Sequence, residues 1–259
     1  MKKIALAATL AMAALAGQAQ ELRHIQPEDV DLMPSEAVMK EYYALRAKEE
    51  KEADKMTEAE FQRLTEIMEG SALLTDLYSG YCSWYCGGDV KRVTASSHLK
   101  SQGRFNYLPQ NAHDFDHESV WAEGVPGQGI GQWLDYEFEG ACPRVTHVSI
   151  ASGHVKTQAA WEANSRPKQI KVYYLGKPYA ILDLQDIRGV QWFDLTTPLP
   201  PAEAKKAEEN NEYPFIALGY HDPDKPSWHL RFEIMEVYPG TKYEDTVISE
   251  LYFDGIDVH

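Results

Sequence analysis

Apolar and polar positions follow two different periods along this chain, and the change falls near Val90. Before it, Val38, Tyr42 and Leu45 lie on one helical stripe, and Phe61, Leu64, Ile67 and Met68 lie on another. Ser35 is placed to cap the first run. Thr57 and Glu60 have capping-box spacing at the start of the second, and Gly70 is a stop signal. Residues 35–69 are therefore predicted to form two helices that pack on the rest of the chain. After Val90 the period is two. In the run Trp133–Phe138, Leu134, Tyr136 and Phe138 alternate with Asp135 and Glu137, which puts apolar side chains on one face and carboxylates on the other. Similar short runs follow at Val145–Ile150, Ile170–Tyr174, Tyr179–Leu184, Gln191–Leu195, Trp228–Val237 and Glu250–Phe253. Short strands parted by Gly, Pro, Asn and Asp turns predict a mainly β fold, an antiparallel sandwich or jelly roll. Gln20–Pro34 reads as an extended polar lead, and Pro198–Pro214 as a charged surface insertion.

The first residues read as an export leader. Lys2 and Lys3 precede the apolar run Ile4–Leu15, and small residues offer a cleavage site after Ala19. That run is too short to span a bilayer. The expected organisation is a leader over 1–19, a helical region with a Cys-containing junction over 20–88, and a sandwich over 89–259. Export to a periplasmic or extracellular space is the expectation. The chain carries 25 basic and 40 acidic residues, a net charge of −15, which argues against a nucleic-acid or anionic-membrane partner. Three cysteines leave one over whatever pairs. Cys82–Cys86 and Cys86–Cys142 are both open, and Cys82 with Cys86 is carried as the candidate disulfide. Their C-x-x-x-C spacing is not a redox motif.

Candidate chemistry gathers in Asn111–Phe138, an acidic loop followed by a glycine-rich segment and a strand. The run Gly127-Gln128-Gly129-Ile130-Gly131 lacks the preceding strand and following helix of a dinucleotide fingerprint, so turns account for it. His113, Asp114, Asp116 and His117 suit a transition-metal hydrolase only if a further ligand joins them, and no other histidine has ligand spacing. Asp114 and Asp116, with loop carbonyls, suit a hard cation such as Ca²⁺ better. A metal-free Asx loop is the plain alternative. No Gly-x-Ser-x-Gly elbow or activated cysteine supports nucleophilic catalysis.

Several ordered segments together resemble one family. They are Asn111-Ala112-His113-Asp114, Trp121-Ala122-Glu123-Gly124-Val125 and Gly127-x-Gly129-Ile130-Gly131. Asn164-Ser165-Arg166 follows, then the run from Glu233 to Thr246, and last Ile248-Ser249-Glu250. The family is the discoidin-like, factor V/VIII C-type domain associated with translocation and glycan binding in a secreted bacterial NAD glycohydrolase. The resemblance implies a discoidin-like β-sandwich that binds glycans through loops at one end. By that likeness Asp114, Asp116, Ser119 and Glu250 are candidate ligands of a structural Ca²⁺. Phe115 departs from the glycine common between the two acidic positions of such loops. NAD hydrolysis is not implied, since that activity belongs to a separate catalytic domain, and no NAD is expected as cofactor.

Sugar sites pair an aromatic platform with polar hydrogen-bonders. The loop from His154 to Arg166 offers His154, Lys156, Trp161, Asn164 and Arg166 for those roles, although Trp161 serves equally well in the core. The sequence thus points to an exported, non-catalytic module whose partner is a glycan or glycoconjugate. Its alternatives are an adaptor that docks a protein through the N-terminal helices, and a metal-assisted hydrolase on the His113–His117 cluster.

Overall fold

The alternating run Trp133–Phe138 forms a strand whose Leu134, Tyr136 and Phe138 are fully buried. It lies in a computed structural model that describes residues 21–71 and 84–258. The expected leader over 1–19 and the residue Cys82 lie outside the described residues. The described chain opens with two short strands, β1 (Arg23–Ile25) and β2 (Asp29–Leu32), and two helices, α1 (Glu36–Glu52) and α2 (Glu58–Glu69). Next come β3 (Arg92–Ala95), β4 (Trp121–Ala122), β5 (Trp133–Phe138), β6 (Val145–Ser152) and helix α3 (Gln158–Ala163). Then follow β7 (Arg166–Tyr174), β8 (Lys177–Asp183), β9 (Gly189–Asp194), β10 (Thr197–Pro198) and helix α4 (Pro201–Glu209). The last strands are β11 (Phe215–Ile216), β12 (Trp228–Tyr238) and β13 (Val247–Gly255).

One sheet has the order β1-β8-β7-β12-β5-β3, and the other β2-β9-β6-β13-β4. Every described neighbour pair in them is antiparallel except β1 with β8. Their inner faces meet in one core that includes Trp84, Trp121, Tyr136, Phe138, Ile150, Phe193, Trp228 and Phe253. The mainly β sandwich expected from the alternation is what forms, and it is the discoidin-like sandwich that the family resemblance implies.

Every strand inferred from alternation is present, and most extend a residue or more beyond the apolar run. β6 is buried at almost every position because both of its faces are covered. Val148 and Ile150 face the inter-sheet core, while Ala151, with Val190 of β9, packs under the helices. Met39 and Tyr42 of α1 and Leu64 and Ile67 of α2 complete that second cluster. The caps are as expected: Ser35 accepts from the Val38 amide, and Thr57 and Glu60 close a capping box.

The polar lead has a larger part than its pattern suggests. β1 joins the edge of one sheet beside β8, and β2 joins the other beside β9. Arg23 locks this segment by donating to the carbonyls of Leu195 and Thr196 at 2.8 and 2.6 Å. Strands of three and four residues carry too few side chains for alternation to reveal them, and the free sheet edges select them. The charged insertion contains helix α4 behind a two-residue ladder of β10 with β11. Cys142 is buried with a free thiol 3.6 Å from the Asp89 carbonyl, so the Cys86–Cys142 pairing is not formed.

Candidate functional site

The glycine-rich segment is a set of turns feeding β5, with Gly127, Gly129 and Gly131 at φ of 94°, 65° and 83°. Glu123 fixes this segment to the start of β13. It is fully buried and accepts from the amides of Val125 and Thr246 at 2.8 and 3.3 Å. Burial raises its carboxyl above the usual range. The neighbouring loop over residues 96–108 is tied down by Asn111. Its side-chain amide donates to the carbonyls of Asn106 and Val120 at 3.1 and 3.0 Å.

Between these loops lies a cleft of about 560 Å³. One wall carries Arg104, Phe105 and Asn106, and another carries Tyr243 and Asp245. Phe105 and Tyr243 are exposed by 53 and 44 %, which leaves both rings accessible for stacking. Arg104 lies 5.0 Å from the Phe105 ring centre, and Lys242 lies 4.8 Å from that of Tyr243. His154, Lys156 and Asn164 belong to the polar lining, with Gln102, Asp114, Glu118 and Ser119. His154 Nε2 lies 3.4 Å from the Glu118 carbonyl, and burial lowers its basicity. Lys156 pairs with the Glu118 carboxylate at 3.4 Å. Asn164 donates to the Ala160 carbonyl at 2.8 Å. Neutral donors, a few charges and two open rings suit an uncharged, hydroxyl-rich ligand with an apolar face.

Of the five candidate sugar contacts, His154, Lys156 and Asn164 line this cleft. Trp161 and Arg166 are placed in the interior instead, each only 8 % exposed. Trp161 Nε1 donates to the Ser152 carbonyl, and its ring fills the space a side chain would need at Gly153. Arg166 holds Asp186 with two donors at 2.5 and 2.9 Å. The reason is that α3 must bury one face, and Trp161 is its largest apolar residue. Phe105 and Tyr243 escape the sequence reading because single aromatics in loops carry no period. The signal available is two rings in the non-alternating run S-Q-G-R-F-N-Y.

The acidic loop lies beside the cleft, and Asp114 and Ser119 line both. The Asp116 amide donates to Asp114 Oδ1 at 3.0 Å and to Glu250 Oε1 at 2.8 Å, which brings those two carboxyls together. Ser119 Oγ donates to Asp114 Oδ2 at 2.7 Å, and the Asp116 carboxylate accepts from the Glu118 amide at 2.9 Å. Glu250 is fully buried, and its Oε2 has no hydrogen-bond partner. Burial, with the Asp114 charge beside it, pushes the Glu250 carboxyl up to about 10.

The histidines of the cluster turn inward. His113 Nδ1 meets the Leu251 carbonyl at 2.7 Å, and His117 is buried with its basicity lowered to about 4 by desolvation. Among the described residues no three His, Cys, Asp or Glu side chains converge on one point, so the four-residue hydrolase constellation is not assembled.

Two mainly antiparallel sheets closed over one core, with loops framing a cleft at the rim, define a discoidin-like sandwich domain. The chain belongs to the family of NAD glycohydrolase translocation F5/8 type C domains, whose model matches residues 84–254. Several solved structures are similar at low identity. The CBM32-1 and CBM32-2 domains of Clostridium perfringens ZmpB, in complex with GalNAc, are 11 % identical with a TM-score of 0.44. That match covers 70 % of this chain and 38 % of the ZmpB chain. CBM32-3 of a family 31 glycoside hydrolase from Clostridium perfringens is 13 % identical with a TM-score of 0.38, covering 62 % of this chain and 88 % of that one. The mycobacterial arabinofuranosyltransferase AftD, as its R1389S mutant, is 14 % identical with a TM-score of 0.39, covering 64 % and 12 %. The chain therefore spans well under half of the ZmpB and AftD chains. No curated protein matches it. Among the described residues no helix is long and apolar enough to cross a membrane.

Proposed function

We propose that this chain is an exported, non-catalytic glycan-binding module and that the rim cleft is its sugar site. The observation that carries the reading is the pair of exposed rings, Phe105 and Tyr243, on one cleft with Arg104, Asn106, His154 and Asn164. A pyranose stacks its apolar face on such a ring and offers its hydroxyls to the polar wall. Shallow sites of this kind bind in the millimolar to micromolar range, about −4 to −8 kcal/mol. Export rests on the basic and apolar leader pattern and on the family's association with translocation.

A structural Ca²⁺ belongs to the same reading. What supports it is that Asp114 and Glu250 are held side by side and that a buried Glu250 oxygen has no hydrogen-bond partner; the Asp116 carboxylate is turned to the Glu118 amide, so the candidate carboxylates are these two. Ser119 and the Asp116 amide orient that pair. The cation would supply the positive charge that lets both carboxyls ionise, and it would hold the loop that carries Glu118 and Ser119 into the cleft wall.

The test is a glycan array probed with the mature protein and with Phe105→Ala and Tyr243→Ala variants, each in calcium and in chelator. The expected result is selective binding that both substitutions weaken at least tenfold while the melting temperature holds. Folded wild-type protein that binds no glycan would overturn the reading.

A further inference from the structure

We propose that helix α1, which lies outside the family match, forms a second subsite, so that the site takes an oligosaccharide rather than a single sugar. The inference rests on the glycan reading of the cleft and extends it. A groove of about 470 Å³ runs between α1 and the sandwich rim. Glu36, Lys40 and Tyr43 line it from the helix, at the four- and three-residue spacings that put side chains on one helical face. Thr157, Lys156 and Glu118 line it from the sandwich. Glu118 and Lys156 also line the cleft, so the ion pair they make at 3.4 Å is a common wall of the two spaces.

The helix is held firmly in this place. Glu36 Oε1 accepts from the Gln158 amide at 3.0 Å, which ties the start of α1 to the start of α3. Met39 and Tyr42 are buried in the same cluster as Trp161 and Val155. The stripe next to them, with Lys40 and Tyr43, is left facing the groove. Tyr43 is 38 % exposed, with its ring packed edge-on against Tyr42 at 5.5 Å and its outer part facing the groove. Lys40 is exposed and has no ion-pair partner among the described residues, so its ammonium is available to hydroxyl oxygens. A partly exposed ring with polar neighbours on the helix is the same kind of surface as the cleft wall. Two such sites on either side of one ion pair match a ligand whose units repeat along a chain. An unrelated pair of ligands would not need the shared wall.

The test compares sugars of different length on the mature full chain. The probes are galactose, N-acetylgalactosamine and N-acetylglucosamine, each alone and at the end of a trisaccharide, with affinity read by calorimetry or NMR titration. A trisaccharide is expected to bind about tenfold more tightly than its terminal monosaccharide. The double variant Lys40→Ala/Tyr43→Ala, on exposed helix positions, is expected to lose that advantage and keep monosaccharide affinity and melting temperature. In wild-type protein the trisaccharide, and not the monosaccharide, is expected to shift the Tyr43 ring resonances, a readout independent of how the variant folds. Equal affinity for both lengths, or an unchanged advantage in the double variant, would overturn the subsite and leave the cleft standing. Absence of binding by every sugar overturns both.

Discussion

The guanidinium of Arg166 lies 3.9 Å from the centre of the Trp161 ring, closing the underside of α3. The same group donates to the carbonyls of Trp161 and Asn164 at 3.4 and 3.3 Å and holds the Asp186 carboxylate. A ring that the sequence offers as a sugar platform is therefore packed in the interior. Its burial links the cleft wall to the cluster that holds the helices, through Tyr42, Val155 and Val190.

Trp161→Ala is accordingly expected to act on stability. Removing a buried Trp costs about 3–5 kcal/mol, and the loss of a ring stacked on Arg166 belongs to that figure. Phe105→Ala removes an exposed ring, and its stability cost is expected to stay within about 0.5 kcal/mol. Denaturant unfolding of both variants checks the split. A Trp161→Ala protein as stable as wild type would show that the ring is not part of the core.

Phe115 tests a second local feature. It is a bulky residue at φ 61°, in the left-handed conformation that glycine adopts freely. Phe115 therefore holds a conformation that is strained for a residue with a side chain. Contact with Tyr252, at 4.7 Å and 17° between rings, offsets the strain. Phe115→Gly and Phe115→Val both remove the ring, but only Val keeps a Cβ and adds branching. The Val variant is expected to be less stable than the Gly variant by about 1–2 kcal/mol. Equal unfolding midpoints would mean that the loop relaxes out of this conformation.

The parts of the fold visible in the sequence are those decided locally. Caps at Ser35 and Thr57 depend on hydrogen bonds within four residues, and β5 and β12 show alternation because one face of each is apolar. What stays hidden is decided by distant partners. β1 and β2 are strands only because β8 and β9 present open edges. Glu250 sits in a run that reads as ordinary strand, and the Asp116 amide, reached across 134 residues, gives it a site. The cleft rings sit on two loops far apart in sequence, so no spacing connects Phe105 with Tyr243.

Cys142 should be chemically silent. Burial pushes its thiol up to about 11, and the thiol donates to the Asp89 carbonyl at 3.6 Å. At pH 8 roughly a thousandth would be thiolate, the reactive form. Brief iodoacetamide treatment of native protein, followed by peptide mass analysis, is expected to leave Cys142 unmodified, whereas denatured protein reacts fully. Rapid native labelling at this residue would show that the Asp89 contact opens.

Glu250 gives the acidic loop its pH signature. Without a cation its folded carboxyl titrates near 10, against an ordinary value of 4.5, because of burial and then the Asp114 charge. Over that interval the folded chain holds a proton that the unfolded chain has lost, so stability falls as pH rises. The contribution is complete below about 4.5 and declines by at most about 1.4 kcal/mol per pH unit above it. His117 works in the opposite sense. Burial lowers it to about 4, so its contribution is present above 6.5 and is lost on acidification. Melts between pH 7 and 9 therefore leave His117 out, and the difference between wild type and Glu250→Gln separates Glu250 from Cys142, whose raised thiol acts in the same sense near pH 9. In chelator the melting temperature is expected to fall across this range, and Glu250→Gln is expected to flatten the slope. Calcium is expected to remove the slope in wild type by holding the Asp114–Glu250 pair ionised, and to raise the melting temperature most at pH 9. The Gln variant should show little of either response. If calcium leaves the wild-type melts unchanged while the slope persists, Glu250 is a buried structural acid and the loop is held by its hydrogen bonds alone.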